Sequence, residues 1–212
     1  MPAPPSPAII VGLSAEARIA RRLGWPVAVG GGTQAGAAAA AQRMIDRGAT
    51  ALISFGLAGG LDPALQPGTI IVPTAVLTTS DTILTAARIT SVLGGVTPHT
   101  LLAAEMVADT ATMKRQLWQS SGAAAVDLES GAVAQTARAA GVPFGVLRAI
   151  CDPASRNLPP AALIALKSTG AIGLGRVAAS VLAHPGQTPA LLRLAADAFA
   201  ARRALTARVA RL

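Results

Sequence analysis

Short runs of aliphatic residues alternate, as far as residue 155, with longer segments whose apolar positions follow the helical period. The short runs predict strands at residues 8–13, 26–29, 50–55, 69–73 and 100–104, and two further buried strands that begin at Ala125 and Val146. The longer segments predict helices at residues 15–23, with Ser14 as the cap, and at 33–47, 110–119 and 130–140. Alternating strands and helices favour a single α/β domain with a mostly parallel, mixed central sheet flanked by helices.

Prolines interrupt the chain beyond residue 152 and predict short helices at about residues 160–167 and 173–183. The last segment, residues 190–212, has the pattern of an amphipathic helix, so we divide the chain into a domain of residues 1–188 and a basic C-terminal helix of residues 189–212. The predicted apolar face comprises Leu191, Leu194, Ala195, Phe199, Leu205, Val209 and Leu212. Two interpretations stay open: a helix packed on the domain with a solvated basic face, or a helix lying on a membrane surface.

The composition narrows the function classes. Apolar residues make up 52% of the 212 residues but aromatic residues only 2%, so alanine and aliphatic side chains must form most of the core. No apolar run is long enough to cross a bilayer, and the first seven residues lack the pattern of a signal peptide, so we expect a cytoplasmic protein. Cys151 is the single cysteine, which excludes an internal disulfide and a cysteine-based metal site.

The net charge of +8 is concentrated at the C-terminal end. Residues 189–212 hold five arginines against one acid, Asp197, which gives half of the total. This distribution favours an anionic partner surface; the inner face of a membrane is one candidate, and we do not expect nucleic acid.

Two buried strands and the helix between them form a predicted β-α-β unit. The unit brings Glu129, Arg148 and Asp152 to the edge where the carboxyl ends of the strands lie, which is where open α/β sheets bind ligands. Arg148 and Asp152 are four residues apart on one strand and therefore share a face. Two carboxylates and a guanidinium at such an edge can hold a polyol and donate a proton.

Other candidate groups give weaker signals. The glycine-rich residues 56–60 predict a turn whose backbone N–H groups, those of Ala58 and Gly59 among them, can hold an anion or a water molecule. Lys114 has the position of a solvated helix lysine; the alternative is that it contacts a ligand, because it lies near the expected base-binding region. There is no phosphate-binding P-loop motif, and we predict no metal site and no cofactor.

Three blocks of sequence resemble one enzyme superfamily. AVDLESGA at residues 125–132, with VLRAICD at 146–152, is similar to a signature of purine nucleoside phosphorylases and of methylthioadenosine/S-adenosylhomocysteine nucleosidases. LISFGLAGGLDP at residues 52–63, with GTIIVP at 68–73, forms the second block, and IIVGLSAE at 9–16 the third. The three blocks occur in the order and at the spacing of that superfamily.

The resemblance implies a division of roles. Asp152 protonates N7 of the departing purine, Glu129 binds the ribose hydroxyls, Glu16 activates the attacking water, and Arg148 lies near ribose and nucleophile. It also implies that Leu128 covers the sugar and that Met106 and Val107 contact the base, Val107 through its backbone. Leu57 departs from the family, because many nucleosidases carry a hydroxyl residue there.

The motifs VDLES, RAICDPASRNLPPAAL and HPGQTPALLRLA resemble a narrower branch, the hopanoid-associated phosphorylases. That resemblance implies release of adenine from adenosylhopane, with water or phosphate as the nucleophile, and a homo-oligomeric assembly. The alternatives are a soluble methylthioadenosine/S-adenosylhomocysteine nucleosidase and a non-catalytic protein that binds nucleosides or lipids. Either enzyme would take an adenosyl-bearing substrate.

Overall fold

The computed structural model describes residues 6–166 and 185–212. The predicted helix at 173–183 lies outside the described residues. Within them the fold class is as predicted: one α/β domain with a mixed sheet between helices.

Nine strands form one sheet in the described part of the chain. Five of its eight strand pairings are parallel, because helical crossovers connect most neighbouring strands. The order is β2-β1-β3-β8-β7-β5-β6, with β9 beside β3 and β4 beside β9. The strands are β1 (Pro7–Val11), β2 (Val27–Val29), β3 (Ala51–Gly60), β4 (Ile70–Ile71), β5 (Ala75–Leu77), β6 (Thr82–Leu84), β7 (Thr100–Ala103), β8 (Ala125–Asp127) and β9 (Phe144–Asp152).

The helices cover both faces of the sheet. They are α1 (Ser14–Ala20), α2 (Gln34–Asp46), α3 (Ala87–Val92), α4 (Ala111–Ser121), α5 (Ser130–Ala139), α6 (Pro160–Leu166) and α7 (Thr188–Val209). Helices α2 and α5 bury alanine-rich stripes against one face, whereas α1, α3 and α7 pack on the other. Successive side chains of β9 point to opposite faces of the sheet and so contribute to both hydrophobic cores. Val146 and Ile150 lie on the first face, and Leu147 and Ala149 lie on the second.

Strand β3 corrects one prediction. The sequence predicted that the strand ends at Phe55 and that residues 56–60 form a turn, but β3 continues to Gly60 and pairs with β9. Gly56 has a φ of 153°, and a Cβ atom there would lie 2.4 Å from Glu16 Oε1. The register shifts between Ala58 and Gly59. Glycine is therefore used here for close packing inside a strand, and not for a turn.

The first helix also begins differently from the prediction. Ser14 is the first residue of α1 and Leu13 occupies the cap position, without a side-chain capping bond. The carboxylate of Glu16 takes over that function, since it accepts hydrogen bonds from the N–H groups of Gly12 at 3.0 Å and Leu13 at 2.8 Å.

Helix α7 packs on the domain through part of the predicted face, since Leu205 and Val209 belong to that face. Ala201, Leu205 and Val209 are buried against β9 and α1. Phe199 is 68% exposed and Leu212 is 45% exposed, so the prediction that both lie on the packed face is wrong. The error arises because the apolar residues of α7 extend over more than one face of the helix.

Candidate active site

A cavity opens where the carboxyl ends of β1, β8 and β9 meet residues 57–59 of β3, which pairs antiparallel with β8. Eight of the nine predicted site residues line it: Glu16, Ala58, Gly59, Met106, Val107, Leu128, Glu129 and Asp152. Arg148 lies beside the cavity, with Nη2 at 3.8 Å from Glu129 Oε2. Residues more than a hundred positions apart meet here because the parallel strands end at one edge of the sheet.

Glu16 is fixed by backbone donors. Its Oε1 accepts a hydrogen bond from the N–H of Leu57 at 2.9 Å, in addition to those from Gly12 and Leu13 on Oε2. Burial raises the pKa of Glu16, and the nearby positive charge of Arg148 opposes that rise. These three bonds fix the orientation of the Glu16 carboxyl group. Because its pKa is raised, the group can accept a proton from a bound molecule.

Glu129 is held more loosely and occupies the cap position of α5. The N–H of Gly32 donates to Oε1 at 3.1 Å. Burial, opposed by Arg148, raises the pKa of Glu129 to about 7. A Cβ atom on Gly12 would lie 2.7 Å from Oε1, so glycine at that position makes room for the carboxylate. The remaining lone pairs of the carboxylate are available to a ligand.

Arg148 is the centre of a buried polar network. Its Nη2 contacts Asp127 Oδ2 at 2.5 Å and donates to Ser54 Oγ at 2.6 Å and to Ser130 Oγ at 3.1 Å. Burial disfavours the guanidinium charge, but the three carboxylates around it outweigh burial and raise the pKa of Arg148. Sequence reasoning did not predict the roles of Asp127, Ser54 and Ser130, although a serine within the aliphatic run of β3, Ser54, was a usable signal.

Asp152 is paired with a lysine, and this corrects the prediction for Lys114. The side chain of Lys114 is fully buried and its Nζ forms an ion pair with Asp152 Oδ2. The predicted solvated lysine is wrong because α4 turns this position towards the end of β9. Burial raises the pKa of Asp152, and the charge and hydrogen bond of Lys114 oppose the rise.

Cys151 also lines the cavity, and its Sγ lies 3.2 Å from Asp152 Oδ1. Burial, reinforced by the negative charge of Asp152, raises the pKa of the Cys151 thiol well above its usual value. The thiol form of Cys151 is therefore favoured, and this makes it a poor nucleophile. Across residues 6–166 and 185–212 no cluster of three or more His, Cys, Asp or Glu residues is arranged to hold a metal ion.

Comparison with known proteins identifies the family. The sequence model of a protein family, described as the phosphorylase superfamily, matches residues 26–100 and 99–183, about three quarters of the chain. The chain belongs to the phosphorylase superfamily. The prediction of an enzyme of the nucleoside phosphorylase and nucleosidase class is confirmed at this level. No curated protein gives a significant match.

Solved structures show the same fold at low sequence identity. A futalosine hydrolase mutant of Helicobacter pylori is 15% identical with a TM-score of 0.69, over 99% of this chain and 100% of that one. The 5′-methylthioadenosine/S-adenosylhomocysteine nucleosidase of the same organism is 16% identical with a TM-score of 0.68, over 98% and 99% of the two chains. An S-adenosylhomocysteine nucleosidase of Streptococcus pyogenes is 15% identical with a TM-score of 0.65, over 87% and 97%.

Proposed function

We propose that this enzyme cleaves the N-ribosidic bond of an adenosyl compound and releases adenine. The observation that carries the proposal is that Glu129 and Asp152 line the same cavity, together with Glu16. Two of the solved structures with this fold are named as nucleosidases for adenosyl compounds, and this supports the assignment of adenine as the leaving base.

Each of the three carboxyl groups has one role in the proposed reaction. Asp152 gives its proton to N7 of adenine while the bond between C1′ and N9 breaks, and the bonding electron pair leaves with the base. Glu129 in its ionised form accepts hydrogen bonds from the ribose hydroxyls and stabilises the positive charge that develops on the sugar. The nucleophile attacks C1′, and where it is water, Glu16 accepts its proton.

We favour water as the nucleophile. Glu16 faces the cavity as a candidate base, and none of the described residues that line the cavity is a lysine or an arginine. Three arginines of the N-terminal region are candidates for binding phosphate, but each is exposed and none lines the cavity: Arg18, Arg21 and Arg22. Phosphate remains the alternative co-substrate, and the product distinguishes the two, because hydrolysis leaves a free sugar hydroxyl and phosphorolysis a sugar phosphate.

The substrate that we propose is adenosylhopane, an adenosyl group on a hopanoid lipid. The cavity wall is mainly aliphatic beside Val107, Leu128 and Leu158, and Met106 at the same cavity is 69% exposed. Such a wall favours an apolar 5′ substituent. The alternative is a nucleosidase for methylthioadenosine and S-adenosylhomocysteine, which the fold of the solved relatives supports.

The solvent face of α7 supports peripheral binding to a membrane from the cytoplasmic side. Leu192 and Phe199 are more than 65% exposed and follow the helical period with the exposed Arg203. Apolar side chains beside arginines on one face suit an anionic lipid surface. No helix in the described ranges has the length and hydropathy to span a bilayer.

The test of the proposed reaction is adenine release from an adenosyl lipid and from methylthioadenosine, each with and without phosphate, followed by mass analysis of the sugar. Higher kcat/KM on the lipid and a free sugar hydroxyl would support hydrolysis of adenosylhopane. A preference for methylthioadenosine would favour the alternative. No adenine from either substrate would contradict the proposed function and leave a non-catalytic binding protein.

Pelleting with vesicles of anionic phospholipid tests the membrane surface separately. The double variant Phe199→Ser with Arg203→Gln keeps the buried face of α7 and should lose most of the vesicle-bound fraction. Equal pelleting of the variant and the wild type would remove this part of the proposal.

A further inference from the structure

Lys114 is a buried charge on a helix whose other side chains are exposed or half-buried. Its ammonium group has three donors, and all three have acceptors: Asp152 Oδ2, the carbonyl oxygen of Pro153 at 3.1 Å and that of Arg156 at 3.0 Å. A buried ammonium group is costly unless it is fully paired, so this position is built around the charge.

The contact leaves the two oxygens of Asp152 unequal. Lys114 holds Oδ2, while among the residues that the structure describes Oδ1 has only the weak thiol donor of Cys151 at 3.2 Å. Oδ1 is therefore the oxygen that remains for hydrogen bonding to a purine base in the cavity. Gly59 lies next to this carboxylate, since a Cβ atom there would be 3.4 Å from Oδ1.

We propose that Lys114 is a positioning residue for the general acid: it fixes one oxygen of Asp152, directs the other to the base, and stabilises the carboxylate that remains when the proton leaves. This inference rests on the proposed function, which makes Asp152 the acid. Lys114 itself contacts neither the base nor the sugar in this role.

The positive charge of Lys114 is not needed merely to hold the loop after β9 against α4. The loop after β9 is already attached to the start of α4, because the N–H of Leu158 donates to the carbonyl of Asp109 at 2.7 Å and the N–H of Ala111 donates to Asn157 Oδ1 at 2.7 Å. What Lys114 adds to these bonds is a positive charge on the carboxylate of Asp152.

The other charged and titratable groups near Asp152 lie on β9, in the loop that follows it and around the cavity. Cys151 precedes it on β9, and Arg156 in the following loop is paired with Asp197 of α7. Glu16, Asp127 and Glu129 line the same cavity as Asp152. Loss of the Lys114 charge should therefore raise the pKa of Asp152, because burial would act with little opposition.

The test compares Lys114→Gln and Lys114→Met with wild type and with Arg115→Met, an exposed control on the same helix. Gln retains an amide donor for the carbonyl groups but has no charge. We expect kcat to fall at least about tenfold in both Lys114 variants, with little change in KM, and the alkaline limb of the kcat/KM profile to move to higher pH. Lys114→Arg keeps the charge and should restore the wild-type limb in part.

A second readout does not depend on turnover. Titration of the ¹³C-labelled aspartate carboxyl groups by NMR should show a higher pKa for Asp152 in Lys114→Gln than in wild type. An unchanged pKa, or folded Lys114 variants with the wild-type pH profile, would overturn the inference. If the pKa rises but the wild type releases no adenine, the ion pair acts on Asp152 as argued, and it is the proposed function that fails.

Discussion

Glu16, Glu129 and Asp152 are three of the buried carboxyl groups that line one cavity, and each is held in a different way. Glu16 accepts three backbone hydrogen bonds, Glu129 accepts one, and Asp152 is paired with the ammonium group of Lys114. Different environments give carboxyl groups different proton affinities, and the proposed mechanism uses this difference, with one group as the acid and another as the ligand of the sugar. The division of roles therefore depends on neighbours that a sequence motif does not contain.

Glu129 gives a prediction for stability. Its pKa is about 7 in the folded protein against an ordinary value of 4.5, so the folded state binds this proton more tightly than the unfolded state does. The free energy of unfolding should therefore fall as pH rises through this window. The variant Glu129→Gln lacks the group and should gain stability relative to wild type by about 3 kcal/mol between pH 4.5 and pH 8.

Urea denaturation of both proteins at the two pH values measures this difference. Asp46→Asn, an exposed carboxylate on α2, serves as the control and should follow the wild-type curve. Parallel curves for Glu129→Gln and wild type would show that the folded protein does not raise the pKa of this group.

Gly56 gives a prediction about the space beneath the site. A methyl group there would lie 2.4 Å from Glu16 Oε1 and 2.5 Å from Arg148 Nη1, so Gly56→Ala must displace both side chains. We expect adenine release to fall at least about a hundredfold, because a misplaced catalytic group costs that much. The control Gly24→Ala, also at positive φ but in open space, should keep its activity. Equal activity of the two variants would contradict the close packing described for β3.

At the level of elements, strongly periodic segments were predictable and irregular ones were not. The strands that contain Ile9, Ile53 and Leu147 are continuous aliphatic runs, and such runs are typical of strands that are buried on both faces of a sheet. The glycines of residues 56–60 indicate a turn by local preference, but pairing with β9 overrides that preference. The surroundings of Lys114 could not be predicted, because its partners lie 38 to 42 positions further along the chain.

Helix α7 gives a prediction at this scale. Leu205 is fully buried against the sheet, so Leu205→Ala should lower the free energy of unfolding by about 2–5 kcal/mol. Phe199→Ala removes a larger side chain that is 68% exposed, and it should change the stability by less than about 0.5 kcal/mol. Thermal or urea unfolding measures both. A larger loss of unfolding free energy for Phe199→Ala than for Leu205→Ala would show that Phe199 lies on the packed face, as the sequence predicted.

For the whole molecule, the order of the strands assembles the site. Glu16 follows β1, Glu129 follows β8, and Asp152 ends β9, and these strands meet through β3 in the middle of the sheet. The sequence predicted that Glu129 and Asp152 lie at one edge, because a single β-α-β unit contains both. Both residues do line one cavity, but β3 lies between β8 and β9 and pairs antiparallel with β8. The approach of Glu16 was expected only through resemblance to a family, since nothing local connects residue 16 with residue 129.

The most direct test of the central claim is the rate of adenine release by Asp152→Asn and Glu129→Gln on the preferred adenosyl substrate. We predict that Asp152→Asn lowers kcat by about 10²–10⁴ with little change in KM, because the proton donor is lost. Glu129→Gln should lower kcat/KM and raise KM, because an amide binds the two sugar hydroxyls less well. Undiminished turnover in both folded variants would contradict the account, since the two carboxyl groups that meet in the cavity would then take no part in the reaction.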